Sequence, residues 1–251
     1  MQASTIDEVI RQQSAIVADN KARKDPLGYF PALYRQVTLK IRDGIAQGYF
    51  DDNPRMNTFA TRFANAYLLA YGQYGAHQNP SRAWKFAFDR ATQGQTIILQ
   101  NLLLGINAHI NLDLGVVAGT MFTPAELPDF HADFDRVNDV LAALIPLARK
   151  AIEDYSPLLD ELSEVGGPDA ARAMEFSVDV ARDEAWRTAN LVALTPPALR
   201  PLLTAPLDSK AELLGRIVGD PPEPVRSVVR RIRDVESSDA VAIITALDSL
   251  V

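Results

Sequence analysis

The chain has 251 residues, 47% of them apolar and 23% charged, and its 32 acidic against 25 basic side chains give a formal net charge of -7. That length and apolar share suffice for a sizeable core, and the acidic balance argues against a nucleic-acid partner, whose phosphates are met chiefly by Lys and Arg. With no cysteine in the sequence, disulfides, thiolate metal sites, iron–sulfur clusters and cysteine nucleophiles are excluded.

The chain begins Met1-Gln2-Ala3-Ser4-Thr5-Ile6-Asp7-Glu8, with no basic stretch leading into an apolar one. No secretion signal is read there, and a cytoplasmic location is expected. Thr5 and Glu8 have the spacing of a capping box, which opens a helix running to about Lys24 and stopping at Asp25-Pro26. A second helix starts at Pro31 and ends before Gly48; a third opens at Asn53-Pro54 and carries Met56, Phe59, Phe63, Ala66, Tyr67 and Ala70 on one stripe. Ser81 caps a short helix bearing Trp84, Phe86 and Phe88.

A long helix is expected over Gln93–Val117, then a loop through Pro128 and another long helix from Asp129 to about Asp154. Ser156-Pro157 starts a short helix that stops at Gly166-Gly167-Pro168, and Asp169–Leu194 is again long and amphipathic, with Met174, Val178, Trp186 and Ala189 on its core side. Three short helices follow, near Ser209–Val218, Glu223–Val235 and Asp239–Leu250. No segment alternates as a strand would. The fold class is all-α: a bundle of long antiparallel helices (residues 1–194) around one buried central helix. Residues 195–251 form a C-terminal short-helix region, set off by the Pro-rich Thr195–Pro206 stretch and packed on the same domain.

The central helix carries the chemistry. Between Arg90 and Asp113 there is no charged residue, a run long enough to raise a membrane span, but Gln93, Gln95, Gln100, Asn101, Asn107, His109 and Asn111 interrupt it. No membrane span is therefore expected; a helix buried inside the bundle is. At helical spacing Gln93, Gln100, Asn107 and Asn111 fall within about 20° of one line, and His109 and Asp113 lie one turn apart on the opposite side. Buried, each of these groups needs a partner. The amide stripe reads as a hydrogen-bond network fixing helix register. The His109–Asp113 pair reads either as part of that network, as two ligands of one metal ion, or as a base with its orienting carboxylate.

The segment from Asn101 to Leu114, with its Asn107-Ala-His-Ile-Asn-x-Asp-Leu114 core, together with Phe134-Asp-Arg-Val-Asn138, resembles a bacterial family known only as a domain of unknown function. The resemblance spans most of the first 190 residues and implies an all-helical protein; it assigns no catalytic residue. His131 and Asp135 repeat the His-x-x-x-Asp spacing on the next long helix. Two such helices side by side are similar to the zinc-dependent phospholipase C and single-strand nuclease superfamily. That superfamily also uses an N-terminal Trp and further histidines, which this chain lacks; His77 is its only other imidazole. The similarity thus implies at most one divalent ion, held by His109, Asp113, His131 and Asp135.

Three functions remain open. One is metal-assisted hydrolysis at the central helix, with Asn107, Asn111 and Asn138 as polar contacts. The second is metal-independent acid–base chemistry by His109 and Asp113 on a small apolar substrate held among Tyr67, Tyr71, Tyr74, Trp84 and Phe88. The third is a non-enzymatic helical module for a ligand or partner, in which the polar core residues only specify packing. The ligand in the first two is a small molecule; the sequence does not set the oligomeric state.

Overall fold

The computed structural model describes residues 2–165 and 169–250, and their side chains outside 163–177 and 179. The expected helix stop at Gly166–Pro168 and the core position of Met174 lie outside what is described. All regular structure among the described residues is helical, with no strand.

Helix α1 (Ile6–Arg23) is capped at Thr5, whose hydroxyl accepts from Glu8 N, while the Glu8 carboxylate reaches one residue further back, to the Ser4 amide and hydroxyl. Lys24 in the left-handed region (φ 56°) ends the helix, and Asp25 caps the next turn. Helix α2 (Tyr29–Ala46) starts two residues before Pro31 and stops ahead of Gly48 at φ 72°. Helix α3 (Asn53–Gly75) is capped by Asp52 and α4 (Arg82–Thr92) by Ser81. After α4 the chain turns through Gly94 at φ 61°, so the central helix begins at Ile98, not Gln93, and Gln93 is left exposed.

That central helix is continuous from Ile98 to Met121 but not uniform. An α segment, α5 (Ile98–Ala108), passes into a π-helical turn over His109–Leu114 and back to α6 (Gly115–Met121). By length and composition this stretch is able to cross a membrane, but 67% of its most apolar window is buried inside the bundle. Its start is held by a distant residue: the Glu236 carboxylate accepts from Ile98 N at 2.9 Å and also from the Ser156 hydroxyl. An acid at a helix N-terminus complements the dipole and the free N–H groups.

Different faces of the central helix meet different neighbours. Gly115 and Gly119 let α9 (Asp169–Leu194) approach closely; a methyl on Gly115 would lie 2.6 Å from the Ala185 carbonyl oxygen and 2.7 Å from Thr188 Cβ. The amide face meets α10 (Arg200–Gly219): Gln100 Nε2 donates to Val218 O at 2.6 Å, Asn107 Nδ2 to Ala211 O at 2.8 Å, and Asn111 Nδ2 to Asn107 Oδ1 at 3.0 Å. The remaining face looks toward α2, α3 and α7 (Leu127–Glu153).

Helix α10 corrects the expectation of a Pro-rich spacer followed by a short helix at Ser209. Pro201 falls in the first turn, where its missing N–H costs nothing. Pro206 is interior, and the carbonyl it strands belongs to Leu202, which is exposed. Helix α8 (Asp160–Val165) and α11 (Val225–Val235) pack together, and α12 (Ala240–Leu247) sets the fully buried Ile243, Ile244 and Leu247 against α2 and α7.

Candidate functional site

His109 sits where α5 gives way to the π turn, with its side chain facing α2 and α3. It is 3% exposed. The imidazole stacks on Phe63 (centroids 3.7 Å apart, planes at 7°) and meets the Tyr34 ring edge-on at 4.5 Å. Its Nδ1 lies 3.1 Å from Asp113 Oδ2, and the same oxygen accepts from Trp84 Nε1 at 2.9 Å. A π turn is an uncommon irregularity that recurs at functional sites, and here it contains both members of the pair.

The hydrogen bonds fix the tautomer by inference. A carboxylate oxygen only accepts, so Nδ1 carries the proton and Nε2 presents a lone pair. Burial pushes the His109 pKa below its ordinary value of 6.5; the Asp113 hydrogen bond and charge oppose that shift without cancelling it. The imidazole is therefore neutral near pH 7. Its Nε2 is buried and has no hydrogen-bond partner among the described residues, an arrangement that costs free energy unless something else completes it.

His109, unlike Asp113, lines a cavity of about 90 Å³ in the core. The walls come from α2 (Tyr34, Ile41), α3 (Phe59, Phe63), the π turn and α7 (Val137), and they are almost wholly apolar. Among the described lining residues there is no carboxylate and no second imidazole; the charged one is Arg182, whose guanidinium donates to Phe134 O. Two hydroxyls belong to lining residues, those of Tyr34 and Thr38, and that of Thr38 is already engaged, donating to Tyr34 O and accepting from Gln13 Nε2.

The other expected site residues separate. Asn107 and Asn111 serve the α10 contact on the opposite side of the helix. Tyr71 accepts at its hydroxyl from Asn20 and Arg23, away from His109. Trp84 is a fully buried second donor to Asp113. Tyr67, Tyr71, Trp84 and Phe88 pack on one another as core, with only about 20 Å³ beside Tyr67, Trp84 and Phe88, and none of the four lines the cavity that His109 lines. Asn138 is half-buried beside Val137 but does not line the cavity.

His131 and Asp135 lie on the exposed face of α7, 49% and 53% exposed and 3.5 Å apart, with the His131 ring 4.4 Å from Trp186. Among the described residues no three His, Asp or Glu side chains come together as a metal would require. Sequence reasoning missed Tyr34 and Phe63, which enclose His109, and Asp133. Fully buried Asp133 accepts from the amides of Asp51 (2.7 Å) and Asp52 (3.1 Å) and from Arg55 (2.8 Å) and Arg136 (2.7 Å). Burial by itself would raise its pKa, yet these donors hold it below the usual carboxylate value. Its spacing from Phe130 and Val137, three and four residues away, is the signal that puts it on the apolar stripe.

Fold and site together define an all-helical protein organised around a buried imidazole–carboxylate pair at the rim of an apolar cavity. The chain belongs to a family of unknown function, DUF5995, whose model matches residues 6–221. No curated protein and no solved structure matches it, and no match to the phospholipase C and nuclease superfamily accompanies the family assignment.

Proposed function

We propose that this protein binds a small, largely apolar molecule bearing one hydrogen-bond donor or acidic proton, and that His109 Nε2 receives it. Asp113 holds the tautomer and stabilises the imidazolium that forms if the proton transfers, so the chemistry needs no metal. The observation that carries this reading is the unpartnered Nε2 of a neutral imidazole lining an apolar cavity. The cavity's roughly 90 Å³ is smaller than the ~150 Å³ engineered cavity that takes benzene, so the occupant is a five-membered ring or a short branched alkyl group.

Metal-assisted hydrolysis fits the donor set poorly. An ion at Nε2 would find no carboxylate or second imidazole among the described lining residues, which include the cationic Arg182, with Asp113 engaged at Nδ1 and His131 and Asp135 on an exposed helix face. Zinc and similar ions take three or four protein donors.

Pyrrole and furan, near-isosteres that differ by one N–H donor, test the proposal. Pyrrole should raise the melting temperature and shift the His109 ¹⁵Nε2 resonance, binding about tenfold more tightly than furan, the worth of roughly one hydrogen bond. In His109→Phe the difference should vanish. Equal binding of the two rings, or binding of neither, overturns the reading.

A further inference from the structure

Asp113 has two environments. Its Oδ2 is taken by His109 and Trp84, and its Oδ1 has no protein partner among the described residues. The side chain is 11% exposed and lines a second hollow of about 210 Å³, between α3, α4, the π turn and α10, that His109 does not reach. The walls of this groove include Ala66, Leu69, Leu112 and Val116, with the Trp84 ring at one side. Of the other polar side chains there, Ser81 is committed to capping α4, Thr204 donates to Arg200 O, and Gln73 adds a neutral amide.

The charge arrangement is unlike that of other shielded carboxylates in this chain. Asp133 is fully buried and meets Arg55 and Arg136, both within 2.8 Å. Asp248, 16% exposed, meets Arg35 at 2.7 Å and Lys21 at 3.5 Å. Asp113, at 11%, lies between these two in exposure, yet its two protein donors are neutral N–H groups and no Lys or Arg among the described residues forms an ion pair with it. The adjoining surface hollow contains Arg200, whose Nε is bound to Thr195 O, and Asp208, whose carboxylate caps α4. A shielded carboxylate without a counter-charge is costly, and an open apolar groove leading to it admits one from outside.

We infer that the groove is a binding site for a small alkylammonium ion, its charged head on Asp113 Oδ1 and its chain along Ala66, Leu69 and Val116. This site is separate from the apolar cavity, and the inference holds whether or not a ligand occupies that cavity. The two sites share Asp113, so a cation at Oδ1 draws charge from Oδ2 and weakens the His109 hydrogen bond.

The Trp84 indole N–H resonance reports on this oxygen directly, with Trp186, the only other tryptophan, as internal reference. Titration with n-butylammonium chloride should shift it saturably, while n-butanol and sodium chloride at equal concentrations should not. Affinity should fall at least about tenfold in Asp113→Asn, and binding should be lost in Ala66→Leu, which fills the groove without touching the pair; pyrrole binding should survive in Ala66→Leu. A shift reproduced by butanol or by sodium chloride, unchanged affinity in both variants, or no shift in the folded wild type overturns the inference.

Discussion

The chain contains the five-residue pattern His-x-x-x-Asp twice, and the two copies meet opposite fates. His109 and Asp113 sit on a helix surrounded by others, 3.1 Å apart, with the imidazole 4% exposed; His131 and Asp135 sit on the outward face of α7, 3.5 Å apart and about half exposed. Chemically the pairs are equivalent, so spacing alone says nothing about function. Exclusion of water distinguishes them: it strengthens the interaction between imidazole and carboxylate, keeps the first imidazole neutral, and leaves its Nε2 without the solvent partner that an exposed ring always finds.

Paired substitutions sharpen this contrast. The largest effect is expected for Asp113→Ala, which strands two buried donors at once, His109 Nδ1–H and Trp84 Nε1–H; the loss should be about 3–5 kcal/mol in denaturant unfolding. The matching Asp135→Ala should change stability by no more than about 0.5 kcal/mol. An equal loss in both would mean that burial is not what separates the pairs.

His109→Ala comes next, at about 2–4 kcal/mol, because it enlarges the cavity and removes the stack on Phe63. His131→Ala forfeits only a ring contact with Trp186 at the surface, worth no more than about 1 kcal/mol. Trp84→Phe keeps most of the packing but removes one donor from Asp113 Oδ2, for about 1–2 kcal/mol.

The smallest and most diagnostic effect is in the pH profile. His109 has a lowered pKa when folded, so below its ordinary value of 6.5 the unfolded chain binds the extra proton; stability present above that pH is lost as the pH falls. Glu236 works in the other direction. Burial raises its folded pKa from 4.5 to about 7, against the pull of Ser156 and the Ile98 amide. The folded chain therefore retains a proton the unfolded chain has released, and stability declines as the pH rises from 4.5 to 7. The slopes oppose each other just below 6.5, where the unfolded imidazole takes up its proton while Glu236 is still releasing its own. His109→Phe should leave only the declining slope and Glu236→Gln only the rising one, as read from unfolding midpoints; unchanged slopes in the two variants would contradict these assignments.

Much of this was legible in the letters. Helix type followed from apolar spacing, and the Thr5, Asn53-Pro54 and Ser81 starts came within a residue or so of the structure because caps are local chemistry. The amide stripe was legible too, except Gln93, which the turn at Gly94 removes from the helix. The π turn was not, since a fixed angle per residue assumes away the local widening that places His109. Prolines misled at α10, where Pro201 begins a helix and Pro206 is tolerated on an exposed face. The cavity was invisible for a topological reason: Tyr34, Phe63 and Val137 are far apart in sequence and meet only once α2, α3 and α7 have packed.

The hold that Glu236 has on Ile98 N gives the tail a say over the site. The family match ends at residue 221, yet fifteen positions later a side chain closes the first turn of the helix that carries Gln100, Asn107 and His109. Chain termination after residue 221 would also remove Ile243, Ile244, Leu247 and the Asp248 anchor of Arg35, Gln36 and Lys21. A shortened chain trimmed to the matched segment is therefore expected to fray at Ile98 first, and amide exchange there should outpace exchange at the α6–α9 crossing.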